Sequence, residues 1–416
     1  MAATGRQLNV LHVATINKPI HQGNGYGPIE SVIYNIDRGL TTLGHRSIVA
    51  CSDDSLVTGE HWPTVSRSLG DYCLDRTPAI KAQIELHVAN ALSRARVGDI
   101  DVVHMHEWHD RVFNGTFDPG VPVVMTLHVP AHRSDIGRDL LRAREKGTAG
   151  QVQLHAVAIS DYQRQQYRGL VDVVATVPNG IDVSDYPFGG ASDPGGYLFH
   201  IGRITEDKGQ DIAIEVARRA GMKLILAGYV QNKVEDRSFF KHLRRSIDAE
   251  VDLSHRRAGP DYYEQVIRPI LDSPSQVTYI GESAGEATKH WYRHARATLF
   301  PIRWGEPFGM VLIESMASGT PVLAFGKGAV PEIVVDGTTG FVSNSVESMV
   351  AGLRNIGVID RATCREHVQA NFSMQLMASR YADVYERVIG PTDARAALPG
   401  RRASLAGSRQ PLLSAS

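Results

Sequence analysis

Two series of short apolar runs, each alternating with helix-spaced apolar positions, follow one another along this chain. The first run, residues 10–14, leads into a glycine-rich loop. The apolar positions from Ile29 to Leu43 then repeat with helical spacing, and another strand-like run follows at residues 47–51. Because parallel strands need crossover connections, usually helices, this alternation predicts an α/β protein with parallel sheets covered on both faces.

The alternation breaks at residues 178–182, and a stretch rich in turn-forming residues follows at 189–196. A second series then starts with the run 197–201. We therefore predict two α/β domains, residues 1–178 and 179–371, whose sheets face one another across a cleft. Ligands of open α/β sheets bind beyond the carboxyl ends of the strands, so we expect the chemistry in the loops that follow strands.

Three further segments complete the predicted organisation. Residues 229–275 are long and charged, which predicts exposed helices. An apolar stripe from Met374 to Val388 predicts one last helix, and the composition of residues 391–416 predicts a disordered tail.

Composition excludes several classes of protein. The formal net charge is -1, so the overall basic field that attracts nucleic acid is missing. No apolar run approaches the roughly 20 residues that cross a bilayer, and no signal-peptide centre is evident. The 3 cysteines do not suggest a disulfide framework. We expect a cytoplasmic protein that does not bind nucleic acid.

A pair of cations follows the strand-like run 197–201. Arg203 and Lys208 lie in a loop that ends at Gly209 and opens a helix. A guanidinium, an ammonium and the free N–H groups of a helix start are suited to phosphate oxygens. Two solvated surface cations are the alternative interpretation.

A pair of acids follows the strand-like run that ends at residue 300. Pro307 suits a first helical turn, which would put Glu306 at the mouth of the helix and Glu314 about two turns along. Carboxylates commonly hold sugar and ribose hydroxyls. Together with Arg203 and Lys208, the two acids predict a site for a nucleotide-diphosphate sugar.

These segments resemble the signatures of retaining glycosyltransferases of family 4. The resemblance rests on residues 200–209, 306–322 and 328–332, and it extends over about 8–390. It implies the GT-B architecture of two facing Rossmann-like domains, with a C-terminal helix, residues 372–390, that crosses back to the first domain. It also implies transfer of a sugar to an acceptor hydroxyl with retention of configuration, without a metal ion or cofactor.

The resemblance assigns roles to individual catalytic residues. Arg203 and Lys208 would stabilise the leaving diphosphate, and Glu306 would hold sugar hydroxyls. His128, which closes the run 123–128, resembles the histidine that lies near the reacting sugar in this family. A hydrogen-bonded histidine at a strand end is the alternative for His128.

The remaining donor contacts are also implied by the resemblance. Backbone N–H groups around Phe308, Gly309 and Met310 would assist Glu306, and Glu314 would bind the ribose. The glycine loop departs from the family pattern, because Pro28 stands where many relatives have a residue with an N–H. Gly25 or Gly27 would then supply the phosphate contact.

The sequence leaves three alternatives open. His104, His106 and His109 could form the metal site of a metallohydrolase, although Trp108 stands where that pattern has an aspartate. A dinucleotide-dependent oxidoreductase is another possibility, but the glycine loop does not match its fingerprint. The third is a catalytically silent sugar-nucleotide-binding protein of the same fold.

Other features of the function are not determined by the sequence. The acceptor and the oligomeric state have no signature, and UDP is favoured over GDP or ADP only by default. The pair Asp99 and Asp101 has the spacing of a metal-binding motif, but it precedes a strand and is therefore expected at the sheet edge away from the cleft. A basic cluster between Arg133 and Lys146 could contact an anionic acceptor or a membrane surface, but a solvated helix face is the favoured explanation.

Overall fold

The computed structural model describes residues 6–23, 27–70, 77–113, 116–133, 135–145, 154–189 and 196–391. The predicted tail lies outside these residues, except for residue 391. Gly25 lies outside them as well.

The first half of the chain forms a seven-stranded parallel sheet. Its strands are β1 (Asn9–Val13), β2 (Arg46–Ser52), β3 (Glu60–Val65), β4 (Val102–Met105), β5 (Val123–Leu127), β6 (Leu154–Ala158) and β7 (Val173–Thr176). Their spatial order is β3-β2-β1-β4-β5-β6-β7. The accompanying helices are α1 (Pro28–Thr42), α2 (Pro78–Ala95), α3 (Asp110–Phe113), α4 (Asp135–Glu145) and α5 (Asp161–Gln166).

The second half forms another seven-stranded parallel sheet. Its strands are β8 (Tyr197–Ile201), β9 (Lys223–Ala227), β10 (Ala249–Glu250), β11 (Val277–Tyr279), β12 (Ala297–Phe300), β13 (Val322–Phe325) and β14 (Gly340–Ser343). Their spatial order is β10-β11-β9-β8-β12-β13-β14. The helices are α6 (Gln210–Ala220), α7 (Val234–Leu243), α8 (Arg268–Asp272), α9 (Gly285–His294), α10 (Met310–Ala317), α11 (Val330–Ile333), α12 (Val346–Arg354), α13 (Arg361–Asn371) and α14 (Met374–Ile389).

Helix α14 crosses back to the first domain, as predicted. It packs along α1, and its Tyr381 and Tyr385 are buried in the core on the same face of the first sheet. The apolar stripe of α14, a helix at the C-terminal end of the chain, therefore completes the hydrophobic core of the first domain. The two-domain α/β architecture is confirmed, whereas the exact residues at which the domains meet stay a prediction.

Apolar runs in the sequence predict ten of these strands, and four were missed; the runs are 10–14, 47–51, 102–104, 121–125, 173–177, 197–201, 223–227, 277–280, 297–300 and 321–324. Strands β3, β10 and β14 lie at sheet edges, and β6 is the neighbour of the edge strand β7. Strand β3 is only partly buried and contains Pro63, so its sequence lacks a continuous apolar run. The prediction of exposed helices for 229–275 was wrong in part, because that segment also contributes β10 and the buried Tyr262 and Ile267.

The structure bears on the cysteines and on the search for membrane-spanning segments. Cys51 and Cys364 are buried free thiols, and Cys73 lies outside the described residues. None of the helices in the described ranges combines the length and the apolarity that crossing a bilayer requires.

Candidate active site

The loop after β8 brings Lys208 toward the loop after β12. A short 3-10 turn, Glu206–Lys208, ends at Gly209, whose backbone is left-handed with φ of 71°. A Cβ at Gly209 would lie 2.1 Å from the carbonyl oxygen of Pro301. Only glycine allows this close approach, because it has no Cβ and tolerates positive φ. The two loops are therefore in direct contact.

Lys208 and Glu306 form an ion pair across this contact. Lys208 Nζ lies 2.8 Å from Glu306 Oε2, and each side chain is only 13% exposed. The ammonium also lies 5.2 Å from the ring centre of Trp304 and 5.8 Å from that of Phe300. Aromatic faces attract a cation and keep water away from it. The pair offers a partly desolvated cation and an adjacent hydrogen-bond-accepting carboxylate.

The segment 328–332 holds the backbone of Glu306 in place. The N–H of Ala329 donates to the carbonyl oxygen of Glu306 at 2.9 Å. Gly328 has φ of 64°, and a Cβ there would lie 2.3 Å from both the nitrogen and the oxygen of Glu306. This close packing requires glycine at residue 328, because any side chain there would clash with the backbone of Glu306.

Helix α10 begins at Met310, so the prediction that Pro307 lies in its first turn was wrong. The residue before the helix, Gly309, has φ of 100°, which helical backbone does not adopt. Glu314 therefore lies about one turn into the helix rather than two. Phe308 is buried, with its ring centre 5.9 Å from that of Phe372. The N–H of Leu312 donates to the carbonyl oxygen of Gly309 at 3.0 Å, whereas the helix itself supplies no partner for the N–H groups of Met310 and Val311.

The guanidinium of Arg203, in the loop after β8, is hydrogen-bonded to a residue of the loop after β9. Its guanidinium donates to Gln231 Oε1 at 2.7 Å, and Gln231 Nε2 donates to the hydroxyl of Tyr229 at 2.9 Å. The ammonium of Lys18, from the first domain, lies 5.4 Å from the ring centre of Tyr229. Arg203 is thus oriented by a polar chain that reaches the other domain.

Glu314 lies at a different part of the site and has its own partners. The hydroxyl of Tyr292 donates to Glu314 Oε2 at 3.0 Å. Burial raises the pKa of Glu314, while the Tyr292 hydrogen bond and the nearby Lys289 oppose that rise. A carboxylate in this position can accept hydrogen bonds from vicinal hydroxyls of a ligand.

A cleft between the two domains is lined by Glu314, whereas Lys208 and Glu306 are not among its lining residues. From the first domain it is lined by Gly23, Gly27 and Pro28, and from the second by Met310 and Glu314. The loop after β1 approaches α9 closely, since a Cβ at Gly285 would lie 3.2 Å from the carbonyl oxygen of Gly23. Both domains therefore form the walls of the cleft.

His128 lies at the carboxyl end of β5 on the first-domain side. Its Nε2 lies 3.0 Å from Nδ1 of His106, and His106 Nε2 lies 3.4 Å from Nδ1 of His12. Removal from water lowers the pKa of His128 to about 3, so the ring is neutral at physiological pH. The sequence predicted His128 as a site residue, but it did not predict the hydrogen bonds that join His128 to His106 and His106 to His12.

The metallohydrolase alternative is not supported by the arrangement of the histidines. In the described residues, the cluster that brings ring nitrogens together consists of His12, His104 and His106. Both nitrogens of His104 are in hydrogen bonds, with Thr126 and Tyr385, and both nitrogens of His106 are bonded to histidines. His109 instead stacks on Phe117, with ring centres 5.6 Å apart.

Asp99 and Asp101 lie at the amino end of β4, away from the cleft, as predicted. Asp99 is paired with Arg46 at 2.8 Å and also with Arg94. Asp101 is paired with Arg6 at 2.5 Å. Both acids therefore neutralise arginines at the opposite edge of the sheet.

Sequence reasoning missed Gln231 and Tyr292, which orient Arg203 and Glu314. Neither residue stands in a motif, and each lies more than twenty positions from the residue that it contacts. The position of Gln231 after β9 was the available signal, because loops that follow adjacent parallel strands meet at one sheet edge.

Comparison with known proteins agrees with this architecture. A family model described as Glycosyl transferases group 1 matches residues 188–357, and one described as Glycosyltransferase Family 4 matches residues 27–185. A phosphatidyl-myo-inositol mannosyltransferase of Mycolicibacterium smegmatis is 25% identical over 313 residues, which are 70% of this chain and 72% of that protein.

Two solved structures illustrate the similarity of fold. Sucrose-phosphate synthase from Thermosynechococcus elongatus has a TM-score of 0.66 at 17% identity, covering 92% of this chain and 99% of its own. HepE from Anabaena, in complex with UDP, has a TM-score of 0.63 at 16% identity, covering 91% and 99%. At such identities the likeness concerns the fold alone.

Proposed function

This chain belongs to glycosyltransferase family 4 and is a glycosyltransferase of GT-B type, and we propose that its donor is a nucleotide-diphosphate sugar. The acceptor is a hydroxyl group, the anomeric configuration is retained, and neither a metal ion nor a cofactor takes part. The ion pair of Lys208 with Glu306 carries this proposal, because it combines a phosphate-binding cation with a hydroxyl-binding carboxylate.

In this proposal the main task of the protein is electrostatic. Negative charge builds on the diphosphate as the glycosidic bond breaks, and Lys208 neutralises it. Its low exposure strengthens the interaction, since fewer water molecules screen the charge. Arg203 contributes a second cation from the same loop. Glu306 holds sugar hydroxyls and so fixes the orientation of the sugar toward the acceptor.

The nucleotide is proposed to occupy the cleft next to Glu314. The carboxylate of Glu314, with Tyr292 behind it, would accept hydrogen bonds from the ribose. Gly27 at the start of α1 is left to make the phosphate contact in the described part of the loop, since Pro28 has no N–H. The complexes of HepE with UDP and with UDP-glucose support UDP-sugars as the first donors to test.

For retention we propose a same-face route. The leaving phosphate oxygen takes the proton of the acceptor hydroxyl while the acceptor attacks from the same side of the sugar. A covalent glycosyl-enzyme trapped during turnover would contradict this route. The anomeric configuration of the product, read by NMR, tests retention itself.

A binding panel tests the donor. Calorimetry with UDP-, GDP- and ADP-glucose and the corresponding mannose donors should show one nucleotide binding clearly better than the others. Glu314→Gln should weaken that binding, since an amide keeps only one acceptor oxygen. Transfer should survive EDTA, and inactivation by EDTA would contradict metal independence.

Acceptors are tested with the best donor. The relative's name makes an inositol phospholipid the first candidate, with simple sugars and sugar phosphates as other arms. A protein that binds the donor but transfers to none of these and does not hydrolyse it would favour the catalytically silent alternative.

A further inference from the structure

Three histidines form a hydrogen-bonded row on one face of the first sheet. His12 in β1, His106 after β4 and His128 after β5 share this face with Tyr381 and Tyr385 of α14. The exposed fraction is 0% for His12 and 4% for His106, whereas His128, at the carboxyl end of β5, is half-buried. The row thus runs from the core to the carboxyl edge of the first sheet, the edge at which open α/β sheets bind ligands.

Each ring in the row is neutral at physiological pH. Burial lowers the pKa of His12 to about 3 and that of His128 to about 3, and it lowers the pKa of His106 well below its ordinary value. A neutral imidazole carries one N–H and one bare nitrogen. The three rings therefore share three protons.

The two hydrogen bonds of the row leave only two proton arrangements. The first bond joins His12 Nδ1 to His106 Nε2, and the second joins His106 Nδ1 to His128 Nε2. If His106 carries its proton on Nδ1, all three rings are protonated on Nδ1 and His128 presents an N–H outward. If His106 carries it on Nε2, all three are protonated on Nε2 and His128 presents a bare nitrogen.

The buried end of the row distinguishes the two arrangements. His12 Nε2 is buried and has no hydrogen-bond partner among the described residues. The second arrangement would leave an N–H there without an acceptor, and orphaned buried N–H groups are rare in folded proteins. The first arrangement leaves only the lone pair of a bare nitrogen at His12 Nε2. His104 cannot accept a hydrogen bond from His12 Nε2, because the two ring nitrogens of His104 are already bonded to Thr126 and Tyr385.

We propose that His12 and His106 act as positioning residues that lock His128 as a hydrogen-bond donor through Nδ1. The inference rests on the proposed function for the identity of the ligand, a donor sugar or its phosphate. In this state His128 donates to an oxygen of the ligand and has no lone pair available to deprotonate the acceptor. The acceptor proton must then leave through another group, which agrees with a phosphate oxygen as the base.

NMR of the full-length protein labelled with 15N-histidine tests the tautomers directly. Two-bond proton–nitrogen correlations distinguish protonated from bare ring nitrogens, and single substitutions assign the signals. The expected spectrum shows His128, His106 and His12 protonated on Nδ1. A proton on Nε2 of His128, or an even mixture of tautomers, would overturn the proposal.

Variants separate positioning from general packing. His106→Asn keeps an N–H donor near the position of Nδ1, whereas His106→Leu removes it. We expect His106→Asn to keep the Nδ1–H tautomer of His128, and His106→Leu to mix the tautomers and lower kcat by up to about tenfold, the value of one neutral hydrogen bond. Rescue by Asn is the readout that a merely structural role would not produce.

The matched control is His104→Leu, which removes a buried histidine of the same face whose ring nitrogens are bonded to Thr126 and Tyr385 rather than to the row. It should lower stability and leave the tautomer of His128 unchanged. An equal tautomer change in both Leu variants would contradict the proposal. The experiments distinguish failure of this inference from failure of the proposed function. If the wild-type enzyme transfers sugar but His128 is protonated on Nε2, only this inference is overturned. If His128 has the expected tautomer but the protein transfers no sugar, only the proposed function is overturned.

Discussion

Ser160 Oγ donates a hydrogen bond of 2.6 Å to the carbonyl oxygen of Pro307, the residue that follows Glu306. Ser160 is also the N-cap of α5 in the first domain. The next two N–H groups, of Asp161 and Tyr162, donate to the carboxylate of Glu332 at 2.8 and 2.7 Å. One helix start in the first domain is thereby bonded to two segments that surround Glu306.

These bonds predict that Glu332 favours the closed arrangement of the domains. Glu332→Ala should remove two hydrogen bonds that exist only when the domains meet, worth about 1 kcal/mol by analogy with a helix cap. We expect a larger radius of gyration in solution scattering without donor, and a lower kcat. The control is Glu366→Ala on the exposed face of α13. Superimposable scattering curves of wild type and Glu332→Ala would count against this role.

Lys208→Ala should slow sugar transfer by about 10- to 150-fold. The loss of one charge-assisted hydrogen bond to the diphosphate costs roughly 1.5–3 kcal/mol, and 1.4 kcal/mol is about tenfold in rate. Arg303→Ala is the control, because Arg303 is 34% exposed and its ion-pair partner, Asp211, is 40% exposed. Exposed ion pairs contribute about 0–1 kcal/mol. Equal small effects on kcat/KM at both positions would contradict the assignment.

Gly209→Ala should cost far more activity than Gly221→Ala. Both glycines flank α6 with left-handed backbone, φ of 71° and 65°, so both variants carry a similar strain. Only at Gly209 would the new Cβ meet Pro301, whereas nothing lies within 4 Å at Gly221. The clash would displace Lys208, and a displacement of about 1 Å can cost about 100-fold in rate.

Melting curves and kcat/KM for both glycine variants separate strain from displacement. We expect the strain alone to lower stability in Gly221→Ala, the clash to lower it further in Gly209→Ala, and activity to fall at Gly209 alone. Equal activities would show that the contact with Pro301 does not position the cation.

Acid should destabilise this protein strongly between about pH 6.5 and pH 4. Burial lowers the pKa of His87 to about 4 and that of His12 to about 3, and it lowers the pKa of His104 well below its ordinary value. The unfolded chain binds protons at these histidines below about pH 6.5 and the folded chain does not, so the free energy of unfolding falls as pH falls. Each such histidine contributes about 1.4 kcal/mol per pH unit.

Urea denaturation at several pH values measures this slope. His87→Asn should reduce it by the contribution of one histidine. His242→Asn, at an exposed position of α7, should leave it unchanged. An unaltered slope in His87→Asn would mean that this histidine is not kept neutral by the fold.

Local patterns in the sequence predicted much of the fold. The apolar runs of the inner strands and the helical spacing in α1 and α14 are visible over a few residues, because burial on a sheet or a helix face imposes a short period. Edge strands such as β3 and β10 were missed, since one side of an edge strand is not buried and the pattern is weaker. The start of α10 was misplaced because the backbone angle of Gly309 is not visible in its side-chain pattern.

The sequence by itself determined that this chain alternates strands and helices in two units and that cations and acids follow particular strands. Only the tertiary structure decided which of them meet. Lys208 contacts Glu306 across 98 positions, while Arg203 is bonded to Gln231, and His12 joins His106 across 94 positions. Such pairs depend on strand order and register, which bring distant loops to one sheet edge, and no local period in the sequence records that order.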